Sequence, residues 1–259
     1  MHIPTITKSQ RLIISHLSSL RFLTIDHLQQ LFNHKDPHRI QEWLINLEEK
    51  KFIAIIKDPK NKTTPYIICL DQKARHILKD NRDIDPRFLE RLYKEKAASP
   101  DFIQRLLFVT SCYLYLLKHK DKTSELNFFT QQDLQGYDYF PDPLPDAYID
   151  QQDGKQTTRY FLDFIESGTS PGKVRYRVRE YLRYADSEGW QENTSNAPLP
   201  TILFIFTSER QKKHIYYYAK ALLEKSLNSD VEIFLTTREQ ILNDQENVDI
   251  WQKVEVEGL

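Results

Sequence analysis

Four residues in the second half of this 259-residue chain have types and spacing suited to phosphodiester hydrolysis. Asp146 follows Leu144-Pro145 at the head of a β-rich run, AYID, while Asp163 and Glu166 lie on or at the end of another, RYFLDFIE. Two carboxylates brought together can hold Mg²⁺, and a lysine beside them can orient or activate the attacking water. On strand alternation Asp163 and Ile165 share a face, so an apolar side chain fills the slot where that lysine would sit. Lys173, in the first turn of the next helix, is the best replacement, with Arg175, Arg177 and Arg179 behind it. The competing structural reading has Asp146 capping a turn and Asp163 or Glu166 pairing with the Arg-rich helix, which leaves a folded platform without catalysis.

A second set of residues could bind a polyanion instead of cutting it. Residues 1–75 carry twelve Lys and Arg against seven Asp and Glu, whereas the stretch from Pro141 onward holds twenty acids and fourteen bases. A basic first third is the footprint of a nucleic-acid-binding module. Thr7 and Thr24 are placed to cap two helices, and Asp36-Pro37 is a start signal for a third, HRIQEWLINLEEK. Ile40, Leu44 and Leu47 of that helix face inward, leaving His38, Arg39, Gln41 and Asn46 for a major groove. FIAIIKD and PYIICL then flank the turn DPKNKTT, a hairpin whose Lys57, Lys60 and Lys62 would meet phosphate. Three helices and a basic hairpin are the parts of a winged helix-turn-helix. Glu42, Glu48 and Glu49 crowd the reading helix, which keeps a protein-contacting winged helix in play.

The elements that must position the carboxylates follow a charged helical stretch over 76–98. Ser99-Pro100 starts a long apolar helix, and LNFFT, PDAYID and RYFLDFIE read as three strands. A helix from Lys173, the strand TILFIFT, a helix opened by Ser208 and the strand VEIFL complete the order α-β-β-β-α-β with a further α-β. That is the core order of the PD-(D/E)xK, or restriction-endonuclease-like, fold. The fold class expected is therefore mixed α/β or α+β. It divides into a winged helix-turn-helix over 1–75, a connector over 76–98 and a nuclease-like domain over 99–259. In the VRYRVREYLRY helix, Arg175, Arg179 and Arg183 recur at i, i+4, i+8 with Tyr176 and Tyr184 interleaved, so one face could lie along a phosphate backbone or form ion pairs with Asp163, Glu166 and Glu180.

Composition excludes several alternatives. With 36 Lys+Arg against 37 Asp+Glu the whole molecule is no polybasic wrapper, and two cysteines supply neither a disulfide framework nor a zinc knuckle. They suit a reducing compartment, so the location expected is the cytoplasm. No secretory signal is legible, and Phe102 to Leu117 is interrupted by polar residues, so no membrane association is expected. Neither GxxxxGK nor GxGxxG occurs, which argues against an NTPase or a dehydrogenase. His214 with Tyr216-Tyr217-Tyr218 suggests a nicking tyrosine, but no His-hydrophobe-His triplet accompanies it, and those tyrosines are expected to pack on their helix.

FPDPLPDAYID, YFLDFIESGTS, KVRYRVREYLRYADSEGW and PTILFIFTSERQKKHI together resemble the replication-relaxation family. The matching points are the Pro-Asp pair, the turn Glu166-Ser167-Gly168-Thr169, the Tyr-rich helix and Arg210. That family comprises accessory proteins of mobile plasmids and integrative elements that join a winged helix to a degenerate restriction-endonuclease-like domain. Family members commonly carry an acid where this chain has Phe164 and an Arg where it has Ser167, with Asp163 displaced by one place. The resemblance implies double-stranded DNA binding in the maintenance, relaxation or transfer of a mobile element, alongside other replication, transfer or transposition proteins. The reading that follows is a binder needing no cofactor, with homodimerisation left open. Its rival is a Mg²⁺-dependent endonuclease using Asp146, Asp163 or Glu166, and Lys173.

Overall fold

A computed structural model of the chain describes residues 5–57, 65–81, 84–225, 231–243 and 249–256. It divides into two compact units, Met1–Leu114 and Tyr115–Leu259. The first contains α1 (Lys8–Leu20), β1 (Phe22–Leu23), α2 (Ile25–Phe32), α3 (Pro37–Glu49), β2 (Ile53–Ile56) and β3 (Ile67–Leu70). Each long helix begins where its cap chemistry dictates. The Thr7 and Thr24 side chains accept from the backbone N–H three residues on, and Asp36 accepts from His38 with Pro37 at the first helical position. Ile13, Ile14 and Leu17 of α1, Leu28 of α2, and Ile40, Leu44 and Leu47 of α3 bury a common core. The strands form an antiparallel sheet in the order β1-β3-β2, Phe22 lying opposite Cys69 and Ala54 opposite Cys69 from the other side.

Residues 76–98 fold onto this same core. The short helices α4 (Arg75–Leu78) and α5 (Pro86–Glu90) and the 3₁₀ stretch Leu92–Ala97 contribute Leu78, Phe88 and Leu92 to it. Arg21 grips the buried Glu95 through two hydrogen bonds, 3.1 and 2.7 Å, while its guanidinium sits 4.8 Å from the centre of the Phe102 ring. Helix α6 (Pro100–His119) contains the boundary between the units. Element order assigns it to the nuclease-like domain, yet its N-terminal turns place Ile103 and Leu107 against Phe22, Ala54 and Cys69. An apolar helix covers whichever sheet it meets, and sequence order alone does not say which. Both cysteines are buried thiols, and burial pushes Cys69 up to about 12.

His27 gives this unit a built-in acid sensitivity. Its Nδ1 accepts from the Thr24 N–H at 3.5 Å, and its Nε2 meets the Ser111 hydroxyl at 3.3 Å. Burial pulls its pKa down from 6.5 to about 4, against the opposing pull of Asp26. The unfolded chain therefore binds the extra proton near pH 6.5 and the folded chain only near pH 4. Stability is lost as pH falls through that window, by on the order of 3 kcal/mol at its lower end. Urea denaturation monitored at Trp43, compared with a His27→Gln variant, isolates the effect: the variant loses this slope, and parallel slopes would exclude His27 as its source.

The second unit is built on a six-stranded mixed sheet in the order β4-β5-β6-β7-β8-β9. The strands are β4 (Glu125–Thr130), β5 (Ala147–Asp153), β6 (Gln156–Ile165), β7 (Thr201–Phe206), β8 (Ile233–Thr237) and β9 (Gln252–Lys253). β4, β5 and β6 pair antiparallel, β6, β7 and β8 pair parallel, and β9 closes the edge antiparallel. Gly154, at φ +58°, makes the tight β5–β6 turn. Helices α7 (Gln131–Leu134), α8 (Pro171–Asp186), α9 (Gly189–Asn193), α10 (Glu209–Leu223) and α11 (Arg238–Asn243) complete it. α8 buries Val174, Val178 and Tyr181, and α10 buries Ile215 and Ala219, in one cluster with Phe161, Ile202, Phe204 and Ile233 of the sheet. No helix among the described residues is long and apolar enough to cross a membrane.

Candidate functional site

The β5–β6 register sets the two carboxylates side by side. Ala147 pairs with Leu162, so Asp146, one residue ahead of β5, arrives opposite Asp163. The Phe164 N–H donates to Asp146 Oδ2 at 2.8 Å, and the Asp146 carbonyl accepts from the Gln131 N–H at 3.1 Å. Both side chains are withdrawn from water, with Asp146 8% and Asp163 6% exposed. Asp163 shares a strand face with Phe161 and Ile165, the face covered by α8.

What meets Asp163 there is Arg177. Its Nε–H donates to Asp163 Oδ2 at 2.5 Å and its Nη2 to Oδ1 at 3.2 Å, a bidentate pair with both partners buried. Nη2 also donates to the Tyr181 hydroxyl at 2.8 Å, and Nη1 donates to the Pro143 carbonyl. Burial alone would favour a neutral guanidinium. Burial is the largest single influence, but the pull of the Asp163 carboxylate, through its charge and its hydrogen bond and with Asp146 behind it, leaves the Arg177 pKa above its ordinary value. Burial, reinforced by Asp163, pushes the Tyr181 phenol well above its usual range, so it remains a neutral hydroxyl.

This donor set does not fit Mg²⁺. The ion wants near-octahedral oxygen coordination and keeps several of its waters, whereas both Asp163 oxygens accept from Arg177 and Asp146 Oδ2 accepts from a backbone N–H. A divalent cation at this point would share a poorly solvated space with a fixed guanidinium charge. Among the described residues no three His, Cys, Asp or Glu side chains cluster so as to hold a metal.

The remaining candidates are dispersed. Ile165 is 7% exposed and part of the core, so the strand's lysine slot is occupied by packing. Glu166 is half-buried and opens the turn in which its carbonyl accepts from the Thr169 N–H at 3.0 Å. Lys173 is exposed, and the contact from α8 to Asp163 is made by Arg177. In the sequence Arg177 is one of several basic residues. The available signal was its position between Val174 and Val178 on the apolar stripe of α8, where an arginine needs a buried partner.

In the first unit His38, Arg39 and Gln41 are exposed near the start of α3. Arg39 pairs with Glu42 at 3.0 Å and lies 5.9 Å from the Trp43 ring centre. Asn46 departs from expectation: its Oδ1 accepts from Gln10 Nε2 of α1 at 2.8 Å, so it braces two helices instead of joining the outward row. Lys57 is exposed, 5.0 Å from the Tyr66 ring centre, while Lys60 and Lys62 lie outside the described residues. Arg175 and Arg179 contact His214 and Tyr218 of α10, while Arg183 makes the ion pair with Glu180 that the basic face of α8 offers.

The fold and this site define a mixed α+β protein in which a hairpin presents paired carboxylates to an arginine. The chain belongs to the replication-relaxation family, whose model matches residues 14–199. No curated protein matches it in sequence. Two similar solved structures are restriction endonuclease FokI, at 11% identity and TM-score 0.35 over 93% of this chain, and FokI bound to DNA, at 13% and 0.31 over 91%. The chain spans 45% and 43% of those two chains.

Proposed function

We propose that this protein is a double-stranded DNA-binding accessory factor of a mobile element, acting in its replication, relaxation or mobilisation, and that its second unit contacts DNA or a partner protein without cleaving a phosphodiester. The observation carrying this reading is the buried Arg177–Asp163 pair, which fills with a guanidinium the place a catalytic metal would need. In the first unit, three helices and a small antiparallel sheet support a winged-helix reading over 1–75. His38, Arg39 and Gln41 would address base edges there, and Lys57 would address phosphate. The remaining proposed parts are a connector over 76–98 and a nuclease-like domain from 99 onward, in a cytoplasmic protein. Family membership supports a role alongside other replication or transfer proteins. The meeting of Asp146 with Asp163 across the hairpin is what a Mg²⁺-dependent endonuclease would also require, with Glu166 and Lys173 completing its site.

One experiment separates the two. Supercoiled plasmid is incubated with the protein and Mg²⁺ or Mn²⁺, beside an Asp146→Ala variant, and the same mixtures are run as a mobility shift in EDTA. The expected result is a shift with intact plasmid in every lane. Metal-dependent nicking abolished by Asp146→Ala would replace the accessory reading with the endonuclease. No shift and no nicking would redirect the function to a protein partner.

A further inference from the structure

α8 and α10 lie side by side, and the seam between them holds Arg175 and Arg179. Arg175 Nε and Nη2 both donate to His214 Nε2, at 3.2 and 2.7 Å, and the guanidinium lies 5.2 Å from the Tyr218 ring centre. Arg179 Nη1 donates to the Tyr218 hydroxyl at 2.7 Å. A guanidinium cannot accept, so His214 Nε2 is the acceptor in both contacts. Both arginines are thus oriented by a ring nitrogen and a phenol hydroxyl, and among the described residues neither has a carboxylate partner. Glu180 and Glu209 on these helices are already engaged, with Arg183 at 2.5 Å and Lys212 at 3.0 Å. Two full charges therefore stand in fixed positions before any ligand arrives, which lowers the ordering cost of binding an anion.

Aromatic faces flank the charges. Tyr176 follows Arg175 on α8 and Tyr217 precedes Tyr218 on α10. At 100° per residue each is turned outward from the seam, and they are 47% and 60% exposed. A solitary exposed tyrosine is ordinary. Two of them on the banks of a cationic seam make a surface that offers salt bridges to phosphates and ring faces to bases. A duplex keeps its base faces stacked inside, whereas an unpaired strand presents them.

We propose that the α8–α10 seam binds single-stranded DNA, with phosphates at Arg175 and Arg179 and bases stacked on Tyr176 and Tyr217. This rests on the reading that the second unit contacts DNA, and it narrows the DNA to an unpaired strand. The test uses the full chain and fluorescence anisotropy, with a labelled oligothymidylate and a mixed-sequence duplex of equal length. Tyr176→Ala and Tyr217→Ala each weaken oligothymidylate binding about tenfold while leaving the duplex affinity unchanged, and the Tyr→Phe variants retain binding. Arg175→Gln with Arg179→Gln reduces the slope of log affinity against log salt on the single strand by about 1.4. If the alanine variants bind oligothymidylate like the parent protein while duplex binding persists, the single-strand proposal is overturned and the DNA-binding function stands. If the arginine variants weaken both ligands and the tyrosine variants neither, the seam is a duplex phosphate contact and the proposal is again overturned. A parent protein that binds neither ligand would overturn the functional reading itself.

Discussion

Arg177→Met is expected to cost the second unit about 3–5 kcal/mol of unfolding free energy. The substitution strands the Asp163 carboxylate in the sheet–helix interface, where it is 6% exposed, and removes the donors to Tyr181 and to the Pro143 carbonyl. A bidentate pair inside a core is worth little over an apolar replacement of the same shape. Half a pair is costly, because a charge is left without water or partner. The double variant Asp163→Leu with Arg177→Met is therefore expected to recover most of the loss, and the double-mutant cycle gives the coupling directly. Urea denaturation in a Trp43→Phe background reports on this unit alone, since the other tryptophans, Trp190 and Trp251, both belong to it. A single-variant loss below about 1 kcal/mol, the range of an exposed ion pair, would mean that Arg177 does not hold the site together.

The second large effect concerns duplex recognition. Replacing His38, Arg39 and Gln41 together with alanine is expected to weaken binding to a duplex recovered by in vitro selection by about a hundredfold, since each base-directed contact is worth roughly 1–3 kcal/mol. All three are exposed, whereas the core of α3 is made by Ile40, Leu44 and Leu47, so thermal stability should change little. Glu42→Gln should act in the opposite sense, because it releases Arg39 from its pair and removes a charge that repels phosphate. Binding titrations at one fixed salt concentration test both. A triple variant within twofold of the parent would remove α3 as the reading helix and favour a protein-contacting first unit.

Much of this architecture is legible before any fold is known. Thr7, Thr24, Asp36-Pro37 and Ser208 all mark helix starts that the structure keeps, because capping is settled within three or four residues of chain. The start of α8 is encoded equally locally, by Ser170-Pro171, two residues before the Lys173 start expected from sequence. The alternation that puts Ile165 on the Asp163 face also holds, since strand pleating is local. The two-residue strands β1 and β9 are too short to carry a period, and they exist because a neighbouring strand offers its edge.

The tyrosines of α10 show the limit on one helix. They were expected to pack, and Tyr216 and Tyr218 do border the core, but Tyr217 is exposed because 3.6 residues per turn cannot bury three in succession. Asn46 similarly reads as an outward polar residue until α1 brings Gln10 to it from 36 positions away.

The sequence by itself therefore determined the order of the principal helices and strands, the basic first third, the acids at Asp146 and Asp163 and the absence of a strand lysine. Only the tertiary structure decided what those acids face. Arg177 lies 14 positions from Asp163 and 34 from Pro143, and it reaches both only once the β5–β6 register is fixed and α8 lies on the sheet. Partnership between charges depends on distance in space and on shared exclusion of water, and neither quantity is written in the local pattern of residues.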